Sequence, residues 1–178
     1  MTLNQTAVLD AAIELLDEAG LDELTTRRLA DRLGVRVGAL YWHYANKQAL
    51  LDAIAERMLA EASRRLPPVG GWRERVTALA HAHRDSMLAH PDGARIIATT
   101  SASGPAASAF RTHLTTMLAA ALPPPLADPC ADVVTGYVNG FTIEEQARRA
   151  SVPRVRRDAA FATGLSVVVD GLAAQATA

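Results

Sequence analysis

The side chains best suited to chemistry in this chain are cations crowded into one short stretch. Residues 25–47 hold Arg27, Arg28, Arg32, Arg36 and Lys47 against a single acid, Asp31. The whole chain carries 18 basic and 19 acidic residues, so this excess of positive charge is local. Tyr41, Trp42, His43 and Tyr44 are interleaved with it. Such a set suits a phosphate backbone, because Lys47 and the tyrosine hydroxyls can hold a duplex without reading its sequence. Arg27 and Arg36 have the fork geometry that reaches O6 and N7 of a guanine, and Val37 or Ala39 can pack on a thymine methyl.

Other reactive residues form no set. Ser101, Ser103 and Ser108 stand in a small, polar stretch without a nucleophile elbow. No nucleophile–base set, phosphate loop or ligand cluster is present, which speaks against an enzyme. His81 and His83 are two apart and do not share a helical face; His81 with Asp85 has ligand spacing, but one pair makes a weak site. No metal and no cofactor are therefore expected. Cys130 is the only cysteine, which excludes an internal disulfide and multi-cysteine metal sites. It follows Pro129 near a helix start, where a thiolate could be favoured, although a buried inert thiol is the commoner outcome.

The elements that must position the basic island are helical. Hydrophobic residues make up 49% of the 178, aromatics only 4%, and the apolar share is chiefly Ala, Leu and Val; Ala and Leu cost little side-chain entropy in a helix. Apolar spacing of three and four predicts helices over 4–19, 27–33, 37–44 and 47–65, with Thr25 or Thr26 and then Asn46 as N-caps. Further helices are expected over 72–89, 92–98, 109–122, 130–150 and 154–174, with a loop over 99–108. The fold class is all-α. Ala30 at the crossing and Gly34 in the turn give residues 26–44 the grammar of a helix-turn-helix, with Leu29, Leu33, Val35 and Leu40 as its small core. An ordinary helical corner uses the same spacing, and Leu40 and Tyr44 stand at core spacing too. The Pro67-Pro68-Val69-Gly70-Gly71 break divides a DNA-binding domain, 1–66, from an effector-binding and dimerisation domain, 67–178.

Leu24-Thr25-Thr26-Arg27-Arg28-Leu29-Ala30-Asp31-Arg32-Leu33-Gly34-Val35, then Leu40-Tyr41-Trp42-His43-Tyr44 and Asn46-Lys47-Gln48-Ala49-Leu50-Leu51, resembles the TetR family of transcriptional repressors. Pro91-Asp92-Gly93-Ala94-Arg95 and Gly140-Phe141-Thr142-Ile143-Glu144-Glu145-Gln146 resemble the tetracycline-repressor type of C-terminal domain. The resemblance implies a homodimer on a palindromic operator, released by a small molecule. By the same resemblance Thr26, Tyr41 and Lys47 match phosphate-contact positions and Arg27 a base-reading one. Arg36, Val37 and Ala39 replace the family's side chains, so the operator sequence should differ. Trp42 and His43 complete the expected DNA face.

The family's two closing helices form a four-helix bundle across the two-fold axis. Here the expected dimer contacts are Val133, Tyr137, Phe161, Leu165, Val168 and Leu172, beside Gly136, Gly140, Gly164 and Gly171; packing within the chain would use the same faces. Expected walls of a mostly apolar effector cavity are Met58, His81, Met87, Ile96, Ile97, Met117, Val138, Phe141 and Glu144. Tetracycline repressors hold a magnesium–drug chelate with a histidine after the Asp-Gly-Ala segment; Ile97 stands there in this chain, so metal–tetracycline binding is not expected. Glu144 matches a family acid near the metal, and it also stands four residues from Arg148, the spacing of a surface ion pair. The expected function is a ligand-responsive repressor. The alternative is a helix-turn-helix regulator or interaction module without a small-molecule cavity. The N-terminus lacks a basic and then apolar leader, and the apolar runs break before ~18 residues. A cytoplasmic protein with no membrane contact is expected.

Overall fold

The computed structural model describes residues 3–65, 70–100, 104–148 and 151–176. Those residues form nine helices and no strand. The first four are α1 (Gln5–Ala19), α2 (Thr26–Leu33), α3 (Val37–Leu40) and α4 (Lys47–Arg64). The rest are α5 (Trp72–Leu88), α6 (Gly93–Thr99), α7 (Pro105–Ala119), α8 (Pro124–Arg148) and α9 (Arg154–Ala176). Residues 67–69 of the expected domain break, Ser101, Ser103 and the end of the 130–150 helix lie outside the described residues.

The local grammar is carried by caps. Asn4 Oδ1 accepts the Ala7 N–H at 2.8 Å and Asn46 Oδ1 the Ala49 N–H at 2.8 Å. Of the two threonines before α2, Thr25 is the cap, its hydroxyl accepting the Arg28 N–H at 3.3 Å. Each supplies an acceptor to a helix N–H that has no partner of its own, a contribution of about 1 kcal/mol. Gly34 ends α2 in the left-handed region at φ 66°, where a side chain would be strained.

Three boundaries depart from the sequence expectation. The helical run from Val37 stops at Leu40 and continues only as a turn through His43, closed by the Tyr44 N–H donating to the Leu40 carbonyl at 3.0 Å. Helix α7 starts at Pro105, inside the stretch expected to be loop. Helix α8 starts at Pro124, six residues before Cys130. Proline is at home in a first turn, where its missing N–H would have no intrahelical partner. Pro105 and Pro124 accordingly stand at helix starts.

Two apolar cores are stacked along the molecule. The first joins α1–α4 through Val8, Ala12, Leu16, Leu29, Leu40, Ile54 and Met58. The second joins α5, α7, α8 and α9 through Val76, Met87, Leu114, Leu118, Val138, Phe161 and Leu165. Helices α4 and α6 belong to both. Leu59 of α4 packs into the second core, and Ile96 of α6 packs into the first. Under the second core lies a buried ion cluster. Arg84 of α5 donates to both Glu145 oxygens of α8 at 2.7 Å and to Asp158 of α9 at 2.6 Å, its guanidinium lying 4.8 Å from the Phe161 ring centre.

Helix α9 is long and apolar enough to cross a membrane by length and composition, with a mean hydropathy of 1.4 over its best window. Its inner face is core: Phe161, Leu165, Val169 and Leu172 are buried. Its outer face, with Val155 and Val167, is exposed in the single chain.

Candidate nucleic-acid interface and interior cavity

The basic island divides into two classes of cation. Arg28 pairs with Glu23, and Arg32 pairs with Glu18 at 2.6 Å and Glu14 at 3.2 Å. The Glu18 carboxylate pushes the Arg32 guanidinium further up its already high range, and Arg32 holds Glu18 below the usual carboxylate range. These two arginines tie α2 to its neighbours. Arg27, Arg36 and Lys47 are exposed and have no ion pair or hydrogen-bond partner among the described residues. Three permanent charges thus stand unneutralised on the α2–α3–α4 face.

The aromatic run divides as well. Leu40 and Tyr44 are buried in the first core, and the Tyr44 hydroxyl donates to the Gln5 carbonyl at 3.3 Å. Tyr41 is half exposed and Trp42 is 89% exposed. Trp42 is the most exposed large hydrophobic side chain among the described residues, and it lies between Arg36 and Lys47 in sequence. Thr26, Val37, Ala39 and His43 are partly exposed on these same elements. The four-residue α3 presents Val37 and Ala39, with Arg36 immediately before its first turn.

The α5–α6 corner is tied to the end of α1. Asp92, left-handed at φ 59°, accepts the Leu21 N–H at 3.1 Å. His90 Nδ1 lies 2.7 Å from Asp17, Arg95 bridges Asp92 and Asp22 at 3.1 and 3.4 Å, and Gln48 of α4 donates to the Thr99 carbonyl at 3.2 Å. A Cβ on Gly93 would meet the Met87 carbonyl oxygen at 2.2 Å, so glycine alone allows this corner. A shift of α6 would therefore be felt at α1 and α4.

The nine expected cavity walls are not gathered around one space. Met58, Met87, Ile96, Met117 and Val138 are core, at 2% exposure or less. His81 lies edge-on to Phe161 in an open groove beside α9. Phe141 and Glu144 line a separate cleft, and Glu144 pairs with Arg148 at 2.8 Å. Ile97 does line a half-open cavity of about 140 Å³, with Leu59, Ala107 and Phe110 as further apolar walls. Its polar lining comes from His83, Thr100, Arg111, Thr135 and Asn139. A neighbouring cleft of about 230 Å³ shares Leu59, Thr100 and Ala107 with it. Sequence reasoning missed His83 and Asn139. The available signal was a histidine and an asparagine at inward positions of two otherwise apolar helix faces. His83 is 1% exposed, and burial holds its imidazole down at about 4.

The expected dimer residues also divide. Phe161, Leu165 and Leu172 are buried inside the chain, and Tyr137 donates its hydroxyl to the Phe161 carbonyl at 2.8 Å. A Cβ on Gly164 would meet that hydroxyl at 2.3 Å, so Gly164 serves the α8–α9 contact. Val168 is partly buried against the core, whereas Val133 is 54% exposed, and Gly136, Gly140 and Gly171 face open space. Cys130 is buried, and burial pushes its thiol up. No group of three or more metal-ligating side chains occurs among the described residues.

The sequence matches two family models: bacterial regulatory proteins of the tetR family over residues 8–54, and the tetracyclin repressor-like C-terminal domain over residues 66–156. It is 39% identical to the class A tetracycline repressor protein from transposon 1721 of Escherichia coli, covering 96% of this chain and 91% of that one. A solved TetR variant from Acinetobacter baumannii AYE in complex with minocycline superposes with a TM-score of 0.86 at 40% identity, covering 96% of each chain. BioQ bound to its natural double-stranded operator superposes at 0.84 with 40% identity, covering 97% of this chain and 99% of that one.

Proposed function

The chain belongs to the TetR family of bacterial regulatory proteins, and from that premise we propose that it is an effector-released repressor with its own operator sequence. Residues 1–66 bind the duplex, and residues 67–178 bind the effector and a second copy, in the cytoplasm where the operator is. The single observation that carries this reading is the unpaired state of Arg27, Arg36 and Lys47 beside exposed Tyr41 and Trp42. A local cluster of like charge on an otherwise balanced surface attracts a polyanion and steers it to that place. Thr26, Tyr41, Trp42, His43 and Lys47 grip phosphates and sugars; Arg27, Arg36, Val37 and Ala39 read base edges. BioQ, similar over nearly its whole length, is known on an operator duplex, which supports this placement.

The outward face of α8 and α9 seats the second copy, with Val133, Gly136, Gly140 and Val167 in place of the buried Phe161, Leu165 and Leu172. Two recognition helices about 34 Å apart then meet successive major grooves. The effector occupies the 140 Å³ cavity between α4, α5, α6, α7 and α8. Its arrival moves α6, and the Asp92–Leu21, His90–Asp17 and Arg95–Asp22 contacts carry that movement to α1. Tetracycline–magnesium is not that effector, because Ile97 supplies no ligand and the space is too small for four fused rings.

A mobility-shift titration against the DNA upstream of the protein's own gene tests the reading. A discrete complex displaced only by the same sequence supports it; equal affinity for random duplex contradicts it. Light scattering should give twice 18.9 kDa; a monomer mass would remove the two-fold argument.

A further inference from the structure

The polar groups around the interior cavity are nearly all engaged. The Thr100 and Thr135 hydroxyls each donate to a backbone carbonyl of their own helical stretch, Ile97 and Ala131, at 2.8 Å. Arg111 is paired with both Asp132 and Asp128, so the mouth offers no spare positive charge to an anion. Two side chains keep unused capacity. His83 Nε2 lies 2.8 Å from Asn139 Oδ1. With that oxygen facing it, Nε2 carries the proton and donates, and the Asn139 amide group is turned the other way. Asn139 Nδ2 has no partner among the described residues, and His83 Nδ1 is buried without one. Asn139 is only partly buried and lines the cavity, so its free N–H is open to an oxygen entering there.

We infer that this cavity takes a small uncharged molecule, about one aromatic ring in size, whose oxygen accepts a hydrogen bond from Asn139 Nδ2 while His83 holds Asn139 in that orientation. The inference rests on the cavity being the effector seat proposed above. The part of the ligand seated among the cavity walls is about one ring in size, because the half-open space measures about 140 Å³ and about 150 Å³ admits a benzene ring. The apolar body packs against Leu59, Ile97 and Phe110, whose ring already lies 4.6 Å from the His83 imidazole. Neutrality follows from the lining: His83 is uncharged at neutral pH, and the charge of Arg111 is matched by two carboxylates. His83 is thus a positioning residue and Asn139 the recognising one.

Phenol, toluene and benzoate serve as probes on the full-length protein, followed by calorimetry and by the side-chain amide signals of uniformly nitrogen-labelled protein. Phenol should bind and shift the Asn139 amide signals, toluene should bind without shifting them, and benzoate should bind far more weakly than phenol. Asn139→Leu should lower the phenol-to-toluene affinity ratio about tenfold, the worth of one buried hydrogen bond. His83→Phe, which also changes the cavity wall, should lower that ratio similarly, whereas His83→Gln, which keeps a donor for Asn139 Oδ1, should retain part of it, as a merely structural role would not. The inference is overturned if phenol does not bind, if benzoate binds as well as phenol, if the ratio survives Asn139→Leu, or if phenol leaves the Asn139 signals in place. Those signals come from the unmutated protein, so an unfolded variant does not rescue the idea. Operator binding is measured on the same samples. A lost ratio with intact operator binding sinks this inference alone, whereas absent operator binding sinks the repressor reading and leaves the phenol result to judge the cavity.

Discussion

The two halves of this molecule treat charge in opposite ways. In the α1–α4 half, Arg27, Arg36 and Lys47 stand in solvent without partners. In the α5–α9 half, Arg84 is 3% exposed, clamped by Glu145 and Asp158, and touched from a third side by Phe161. Unpaired surface cations add little to stability and are available to a partner. A buried, fully bonded cation fixes how three helices meet and is available to nothing. Arg27 and Arg36 are left for binding, whereas Arg28, Arg32 and Arg84 hold helices together, so losing an arginine should have separable consequences at the two kinds of site.

The largest effect is expected from Arg84→Met. It leaves the Glu145 carboxylate buried with only Arg157, 3.3 Å away, as a counter-charge. Breaking a buried pair costs about 3–5 kcal/mol, so thermal unfolding should move down by many degrees. Arg36→Ala, by contrast, should leave the melting temperature unchanged. Arg84→Met melting within a degree of the wild type would erase the distinction.

Arg36→Ala should instead weaken operator binding by about 1–3 kcal/mol and relax the choice of base at its contact. Lys47→Ala should weaken all duplexes alike and lower the salt slope by about one. Fluorescence anisotropy with operator and scrambled DNA separates the two. A uniform loss from Arg36→Ala would move that residue from reading to gripping.

Glycine sharpens the comparison within the lower half. Gly164→Ala pushes a methyl into the Tyr137 hydroxyl and should cost about 1–3 kcal/mol in folding. Gly136→Ala meets nothing within 4 Å in the chain, so any loss it causes must appear in the dimer constant. Equal effects of both on a monomer's stability would contradict the assignment of the two faces.

The smallest effect concerns pH. The folded imidazole of His83 is held at about 4 by burial, below its ordinary 6.5. The unfolded chain therefore binds that proton first, so stability is full above about 6.5 and falls as pH drops toward 4. His83→Phe should flatten that limb of a urea-midpoint profile. An unchanged profile would mean that the imidazole titrates alike in the folded and unfolded chains.

The same contrast explains what was legible beforehand. The caps at Thr25 or Thr26 and at Asn46, the Gly34 turn and the basic island are written in residues close together in sequence, so local chemistry suffices to read them, whereas Asn4, expected as the first helical residue, is the cap of α1. The helix starts at Pro105 and Pro124 are not legible from apolar spacing, because proline's effect depends on its position within a helix. The cavity was harder still. Met58, Met87 and Ile96 have the composition of pocket walls, yet tertiary packing closed over them. His83 and Asn139 stand 56 residues apart and meet only through the α5–α8 contact. Phe161, Leu165 and Leu172 looked like a partner-facing stripe because periodicity marks an apolar face without saying which neighbour covers it.

The most direct test is the salt dependence of binding to the upstream operator, comparing the wild type with the Arg27→Ala, Arg36→Ala, Lys47→Ala triple variant. The logarithm of affinity should fall steeply with the logarithm of salt for the wild type. The triple variant should keep its fold and melting temperature, lose most of its affinity and show a much shallower slope. A triple variant that binds with the wild-type affinity and slope would contradict the account, because the unpaired cations would then not be what holds the DNA.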